Sequence, residues 1–245
     1  MLATHRTELD IANPESVSEY SRTVPDGVAV LHSVPLVRQG EAYVAPTPVL
    51  SPLLERARRV VYLSTTGVYG AQRHVDEKSV PAPRTRREAM RVEEERRVRS
   101  ACPSSLVLRP AAIYGPSRGV HVSLRNGTHR LWGNGTNFIS RIHVDDLAAL
   151  CAAALQTSLV GSYPVADETP CPAREITGYC AALLGVKAPT PTGTLPPEDT
   201  RSANRRVDGR WICRLLGVEL RYLSYRTGVL AALEAERFTS SSCIC

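Results

Sequence analysis

Three short runs along the chain are apolar and β-branched, too hydrophobic to leave one face in water: GVAVLHSV at 27–34, RRVVYLST at 58–65 and SSLVLRPAAIYG at 104–115. Runs of this kind predict strands of a parallel sheet covered on both faces. Between the first two, TPVLSPLLERA (47–57) sets Val49, Leu53, Leu54 and Ala57 at helical spacing, with prolines near its start, where a helix tolerates them. A charged segment from Arg84 to Arg99, free of glycine and of proline after its start, predicts another helix before the third run. Strand and helix alternate, so the expected class is α/β and the expected fold a Rossmann-like, doubly wound parallel sheet.

Beyond Gly115 the pattern changes. GPSRGVHVSLRNGTHRLWGNGTN is glycine-rich and polar, and RIHVDDLAALCAAALQ then predicts a helix with Asp145 or Asp146 as its N-cap. Further on come a strand candidate, GSYPVAD, a helix AREITGYCAALLGV stopped by Gly185, a proline-rich loop at 188–197 and two more helical pieces. The organisation expected is a nucleotide-binding domain over 1–160, a smaller substrate-side region over 161–237 packed on it, and a disordered tail at 238–245.

Before Gly27, TELDI (7–11) reads as a strand ending in an acid and NPESV (13–17) as a helix start. A dinucleotide fold opens with a strand, a G-x-G-x-x-G turn and a helix whose N-terminus faces the pyrophosphate. No such turn occurs in the chain. The sheet is therefore expected to lack its first strand-turn-helix unit, either as a real truncation or because the native chain starts upstream of Met1. A real truncation leaves an apolar sheet edge open to pairing, which predicts a homo-oligomer.

Composition narrows the function classes. With 245 residues and 43% hydrophobic content, the chain buries a substantial core. Lys and Arg exceed Asp and Glu by 30 to 24, a mild excess concentrated in 84–99 and 201–214, while aromatic residues make up only 5%. Without interleaved basic and stacking residues, nucleic-acid binding is excluded. No apolar run approaches the roughly 20 residues of a membrane span. The seven cysteines show no metal-ligand spacing, and MLATHRTELD contains no secretory apolar stretch, so reduced thiols in a cytoplasm are expected. The sequons at Asn126 and Asn134 then read as polar turns.

Four stretches in order, YLSTTGVYG (62–70), LVLRPAAIYGPSR (106–118), RIHVDDLAA (141–149) and SANRRVDGRWICRLLGVELRYLSYRTGV (202–229), resemble the extended short-chain dehydrogenase/reductases, the NAD-dependent epimerases and dehydratases. The likeness is closest to the atypical branch, whose catalytic signature is eroded. It covers nearly the whole chain, starting about one βαβ unit late. It implies an NAD(P)-dependent oxidoreductase, epimerase or dehydratase acting on a nucleotide sugar or similar small polyol, with NAD or NADP held weakly or lost if the truncation is real.

Chemistry in such enzymes uses a tyrosine that moves the hydroxyl proton, a lysine four residues on that lowers its pKa, and a Ser or Thr on the substrate oxygen. Thr65 stands at the Ser/Thr position, against the alternative of a strand-end hydroxyl satisfying its own backbone. The helix TRREAMRVEEERR has neither tyrosine nor lysine; setting the family's glutamate on Glu95 puts Arg87 and Arg91 at the two positions, and a one-residue slip puts Arg86 and Met90 there. Arginine clamps phosphate but does not relay a proton at neutral pH. A solvated helix face is the competing reading of both arginines.

The resemblance further implies cofactor contacts at Asp10, His32, Ser33, Ser64, Pro110 and Ile113, and substrate contacts at Thr66, Tyr69, Arg118 and His143. Four of them have a plainer alternative: Asp10 as a cap of the NPESV helix, Tyr69 as packing at a strand end, His143 and His32 as structural histidines. The lost Tyr-Lys pair leaves a second function open, a non-catalytic nucleotide- or metabolite-binding protein, since one superfold hosts both.

Overall fold

A computed structural model describes residues 9–194 and 204–241. Its centre is a four-stranded parallel sheet in which Ala29–His32, Arg59–Leu63, Ser105–Pro110 and Gly161–Val165 lie side by side in chain order. The register sets Ala29 beside Arg59, Val61 beside Leu106 and Leu108 beside Tyr163. The protein is α/β with a Rossmann-like sheet, as its hydrophobic runs require.

Eight helices surround this sheet among the described residues: α1 (Pro14–Thr23), α2 (Thr47–Glu55), α3 (Arg86–Ala101), α4 (Val120–Arg125), α5 (Val144–Gln156), α6 (Ala173–Leu184), α7 (Arg210–Leu216) and α8 (Tyr225–Ser241). Side chains alternate across each strand. Val60, Tyr62 and Val107 meet Val17 of α1, Leu54 of α2 and Val98 of α3 on one face. Val61, Leu106 and Leu108 meet Leu147 and Leu150 of α5 and Ile212 of α7 on the other. Each fully buried aliphatic side chain here contributes about 1.5–3 kcal/mol. A third apolar cluster, with Tyr114, Leu124, Ile176, Tyr225 and Val229, joins α4, α6 and α8 beyond the end of the sheet.

Local chemistry sets the helix ends. Asn13 caps α1 by accepting from the Glu15 amide at 2.9 Å. Thr85 and Glu88 form a reciprocal capping box at the start of α3. Gly185, at φ 64°, ends α6 in the left-handed conformation that favours glycine. Buried Arg59 donates to the Ala154 carbonyl through Nε and Nη2, at 3.1 and 2.9 Å, and so satisfies the last turn of α5.

Several expectations need correction. The N-cap of α5 is His143, whose Nδ1 accepts from the Asp145 amide at 3.2 Å; Asp145 and Asp146 fall inside the first turn. Asp146 is buried and accepts from the Arg221 and Tyr222 amides instead, at 2.8 and 3.0 Å. Leu9 to Ile11 form no strand, Thr7 and Glu8 lying outside the described residues. The boundary drawn at 160 separates α5 from Gly161–Val165, a strand of the same sheet. Where a tail was expected from 238, α8 continues to Ser241; residues 242–245, with Cys243 and Cys245, lie outside the described residues, as do 195–197 of the proline-rich loop. No helix among the described residues is long and apolar enough to cross a membrane.

Candidate functional site

Parallel strands place their carboxyl ends along one edge, where open α/β sheets bind ligands. That crest carries His32 and Ser33, Ser64 and Thr65, and Pro110, followed by a short strand, Ala112–Tyr114, that pairs with Arg141–His143. Ser33 is exposed and Thr65 half-buried. Thr65 Oγ1 accepts from the Gly67 amide at 3.1 Å, capping the tight Thr66–Tyr69 turn. This uses a lone pair and leaves the hydroxyl hydrogen free to donate, so the local and the substrate-directed roles are compatible.

Beneath the crest lies a buried polar network. Arg109 interrupts an apolar strand and is buried, so its charge must be met inside the protein. It donates to Glu95 of α3 through Nε and Nη2 at 3.0 and 2.7 Å, and through Nη1 to the Tyr69 hydroxyl at 3.0 Å. Ser64 Oγ donates to the same Glu95 carboxylate at 2.6 Å. The neighbouring Glu94 accepts from the Thr47 amide and hydroxyl at 3.0 and 2.7 Å. Glu94 and Glu95 of α3 therefore serve the core, while Glu93 stays on a solvated face with Arg96 and Arg97.

Arg91 and Arg87 separate on the same helix. Arg91 is buried and donates to the Tyr62 hydroxyl at 3.1 Å, contrary to the solvated reading. Arg87 is exposed, with its guanidinium 5.4 Å from the centre of the Tyr43 ring. His32 packs on Tyr62 with ring centres 4.8 Å apart. Its Nε2 faces Thr47 Oγ1 at 3.4 Å, and its Nδ1 accepts from the Val34 amide. Burial first, then the Arg91 charge, lowers its pKa to about 4, so the ring is neutral at pH 7 and structural in role.

Other expected contacts are also accounted for internally. Thr66 and Tyr69 are buried in the turn, and burial pushes the Tyr69 hydroxyl above the usual tyrosine range. His143 is buried between the rings of Tyr114 and Tyr222, 5.2 and 4.1 Å away, and its substrate-facing expectation gives way to the helix cap. Asp10 accepts from the Ala12 amide at 3.0 Å in the turn leading to α1, while the cap itself is Asn13. Asn134 likewise closes a polar turn, accepting from the Thr136 hydroxyl and amide.

Next to the crest is a cavity of about 430 Å³, walled by Ala112–Tyr114, the loop and α4 from Arg118 to Ile139, and α6. Ile113 and Arg118 line it, so a cofactor-side expectation and a substrate-side expectation meet at one place. Pattern reading missed the rest of the wall, including Arg130, Trp132 and Arg141. His129 ties α4 to α6 across it: its Nδ1 and Nε2 lie 3.0 Å from Ser123 Oγ and from Thr177 Oγ1. The outer loop is held by Glu236 of α8, which accepts from the Ser117 amide and from Arg125, with His121 Nε2 at 3.2 Å.

A parallel sheet sandwiched by helices, with polar side chains at its carboxyl edge, defines a Rossmann-like α/β protein, an architecture that the short-chain dehydrogenase/reductases share. Residues 2–164 match the NAD dependent epimerase/dehydratase family, and the chain belongs to it. A 3-diazoavenalumate denitrifying reductase from a Streptomyces species is 34% identical over 110 residues, a match that spans 42% of this chain and 35% of that protein. A functionally unknown conserved protein from Silicibacter pomeroyi superposes with a TM-score of 0.70 at 32% identity, covering 86% of this chain and 78% of that one. The dTDP-glucose 4,6-dehydratase of Streptomyces venezuelae, solved with NAD bound, gives a TM-score of 0.75 at 20% identity, covering 94% and 79%.

Proposed function

We propose that the protein is an NAD(P)-binding oxidoreductase or epimerase/dehydratase-type protein that works on a small molecule seated in the 430 Å³ cavity. The observation that carries this reading is that Ile113, on the short strand that follows the crest residue Pro110, lines the cavity together with Arg118. Ser33, Thr65, Pro110 and Ile113 are the residues that would hold the nicotinamide end of the cofactor, whose contribution when bound is to accept or donate hydride. The exposed edge at Ser33 and the free hydroxyl hydrogen of Thr65 suit that half, whereas the glycine-rich turn for the pyrophosphate is absent from the sequence. Thr65, outside the cavity wall, would orient a substrate oxygen that reaches the crest, and Arg118, in the wall, would meet a negative group. A nucleotide sugar or similar polyol is the substrate class that family resemblance suggests, and the cavity's own chemistry, taken up below, points to a different one. The five buried free thiols among the described residues favour the cytoplasm as its compartment.

A second reading has its own observation. Arg91, at the lysine position, is bound to Tyr62, and Arg87 is stacked on Tyr43, so neither relays a proton. This supports a protein that binds nucleotide or metabolite without the usual Tyr-Lys chemistry. The first reading requires cofactor binding, and the second is compatible with it. NADH or NADPH at 100 times its Kd is expected to add about 2.7 kcal/mol of stability, raising the melting temperature by roughly 5 °C or more. An unchanged melting curve with both nucleotides, and no nucleotide in the cleft of a co-crystal, removes the cofactor from the proposal.

Among the described residues, Ala29–His32 is paired on one side only, and Leu31 on it is 39% exposed. We propose that this edge joins a second copy. Light scattering is expected to show a concentration-dependent dimer that Leu31→Lys dissociates. A monodisperse monomer at all concentrations refutes it.

A further inference from the structure

The cavity combines unneutralised positive charge with an interior that has few hydrogen-bonding groups to spare. Arg141 lines it and is 5% exposed, yet its assigned hydrogen bonds go to the Ile139 carbonyl at 2.9 Å and the Cys171 sulfur at 3.2 Å. Among the described residues no carboxylate lies within ion-pair distance of it. Asp167 is near enough to feel its field, but burial pushes that carboxyl up to about 7, which blunts it as a counter-ion. Arg118 and Arg130, exposed and also lining the cavity, likewise have no carboxylate partner among the described residues. A guanidinium held out of water without a counter-ion favours an incoming anion, and its planar fork matches a carboxylate.

The rest of the wall selects the body of that anion. Both nitrogens of His129 are engaged by Ser123 and Thr177, whose hydroxyls also reach the Val120 and Ala173 carbonyls. The remaining surface includes Ile113, Leu131, Trp132, Ile176 and Val229, with Asn137 and His121 as its other polar members, the Nδ1 of His121 buried without a hydrogen-bond partner. A sugar, or a nucleoside with its ribose and base edge, would bury donors and acceptors against this wall with too few partners. A flat apolar ring would not. The volume falls in the ordinary range for a small-molecule site.

We propose that the cavity is a binding site for an aromatic carboxylate, the acid group meeting Arg141 and the rim arginines, and the ring packing against the apolar wall. This rests on reading the cavity as the substrate site, and it replaces the nucleotide sugar as the class of substrate. The probe is 2-naphthoate, titrated calorimetrically into the full chain with and without NADH. One-to-one binding is expected, with methyl 2-naphthoate at least tenfold weaker and no competition from UDP or UDP-glucose. Arg141→Met is expected to weaken 2-naphthoate tenfold or more. Because Arg141 is buried, the exposed pair Arg118→Gln and Arg130→Gln is measured beside it and is expected to weaken binding several-fold with an unchanged melting temperature. Displacement of naphthoate by UDP, equal affinity for the ester, or indifference to the arginine variants overturns the proposal. Naphthoate binding without any NADH effect on melting would overturn the cofactor reading alone; an NADH effect without naphthoate binding would overturn this one alone.

Discussion

At pH 8.5, Asp167→Asn is expected to resist denaturant better than the parent protein, whereas at pH 4 the two should unfold together. Asp167 follows the last sheet strand and is 1% exposed; Oδ1 accepts from the Thr169 amide at 3.2 Å, while Oδ2 is buried without a partner. Burial is the chief cause that raises its pKa from 3.8 to about 7, with Asp146 and Glu168 adding and Arg141 opposing. The folded pKa is the higher one, so the protonated carboxyl is the form that folding favours. Its stabilising effect is complete below about pH 4 and is lost as pH rises through about 7. A shift near three units at ~1.4 kcal/mol each sets an upper limit of about 4 kcal/mol, and the variant should recover roughly half of that or more. Urea midpoints at the two pH values measure it. Parallel behaviour of parent and variant across the range would show that Asp167 titrates normally.

Arg109→Met should be the most damaging single change near the crest. It leaves the Tyr69 hydroxyl and the Glu95 carboxylate without their shared partner, and Glu95 stays buried in the core with only the Ser64 hydroxyl at 2.6 Å and Arg99 at 3.7 Å to hold it. Breaking a buried pair from one side costs about 3–5 kcal/mol, while replacing both members by apolar groups is far cheaper. The double variant Arg109→Met, Glu95→Leu should therefore recover most of the loss in urea denaturation. A loss below about 1 kcal/mol for the single variant would mean that the pair is solvated in solution.

The two predictions bear on how much the sequence discloses. The sheet is legible because its strands are buried on both faces and so read as unbroken apolar runs; the stop at Gly185 is legible because only a left-handed cap suits it. The α3 helix misleads because its charges read as a wet face, although Glu94 and Glu95 are both fully buried. One signal was present: an arginine in the apolar run LVLRP demands an acid elsewhere, and Glu95 answers it. His143 as a cap escaped the pattern because Asp145 and Asp146 are the commoner capping types. The cavity wall was the least legible part. Arg130 and Trp132 lie on a glycine-rich loop, which has no periodicity to read, and meet Arg141 of the strand Arg141–His143 only through the fold.

Glu236 carries a practical lesson for handling the protein. Its carboxylate fastens a loop that lies 115 to 119 residues earlier in the chain, and that loop is the outer wall of the cavity. Trimming the carboxyl terminus back past this residue would thus alter a ligand pocket rather than remove an ornament, and a fusion partner attached there needs a spacer long enough to leave the last turns of α8 undisturbed.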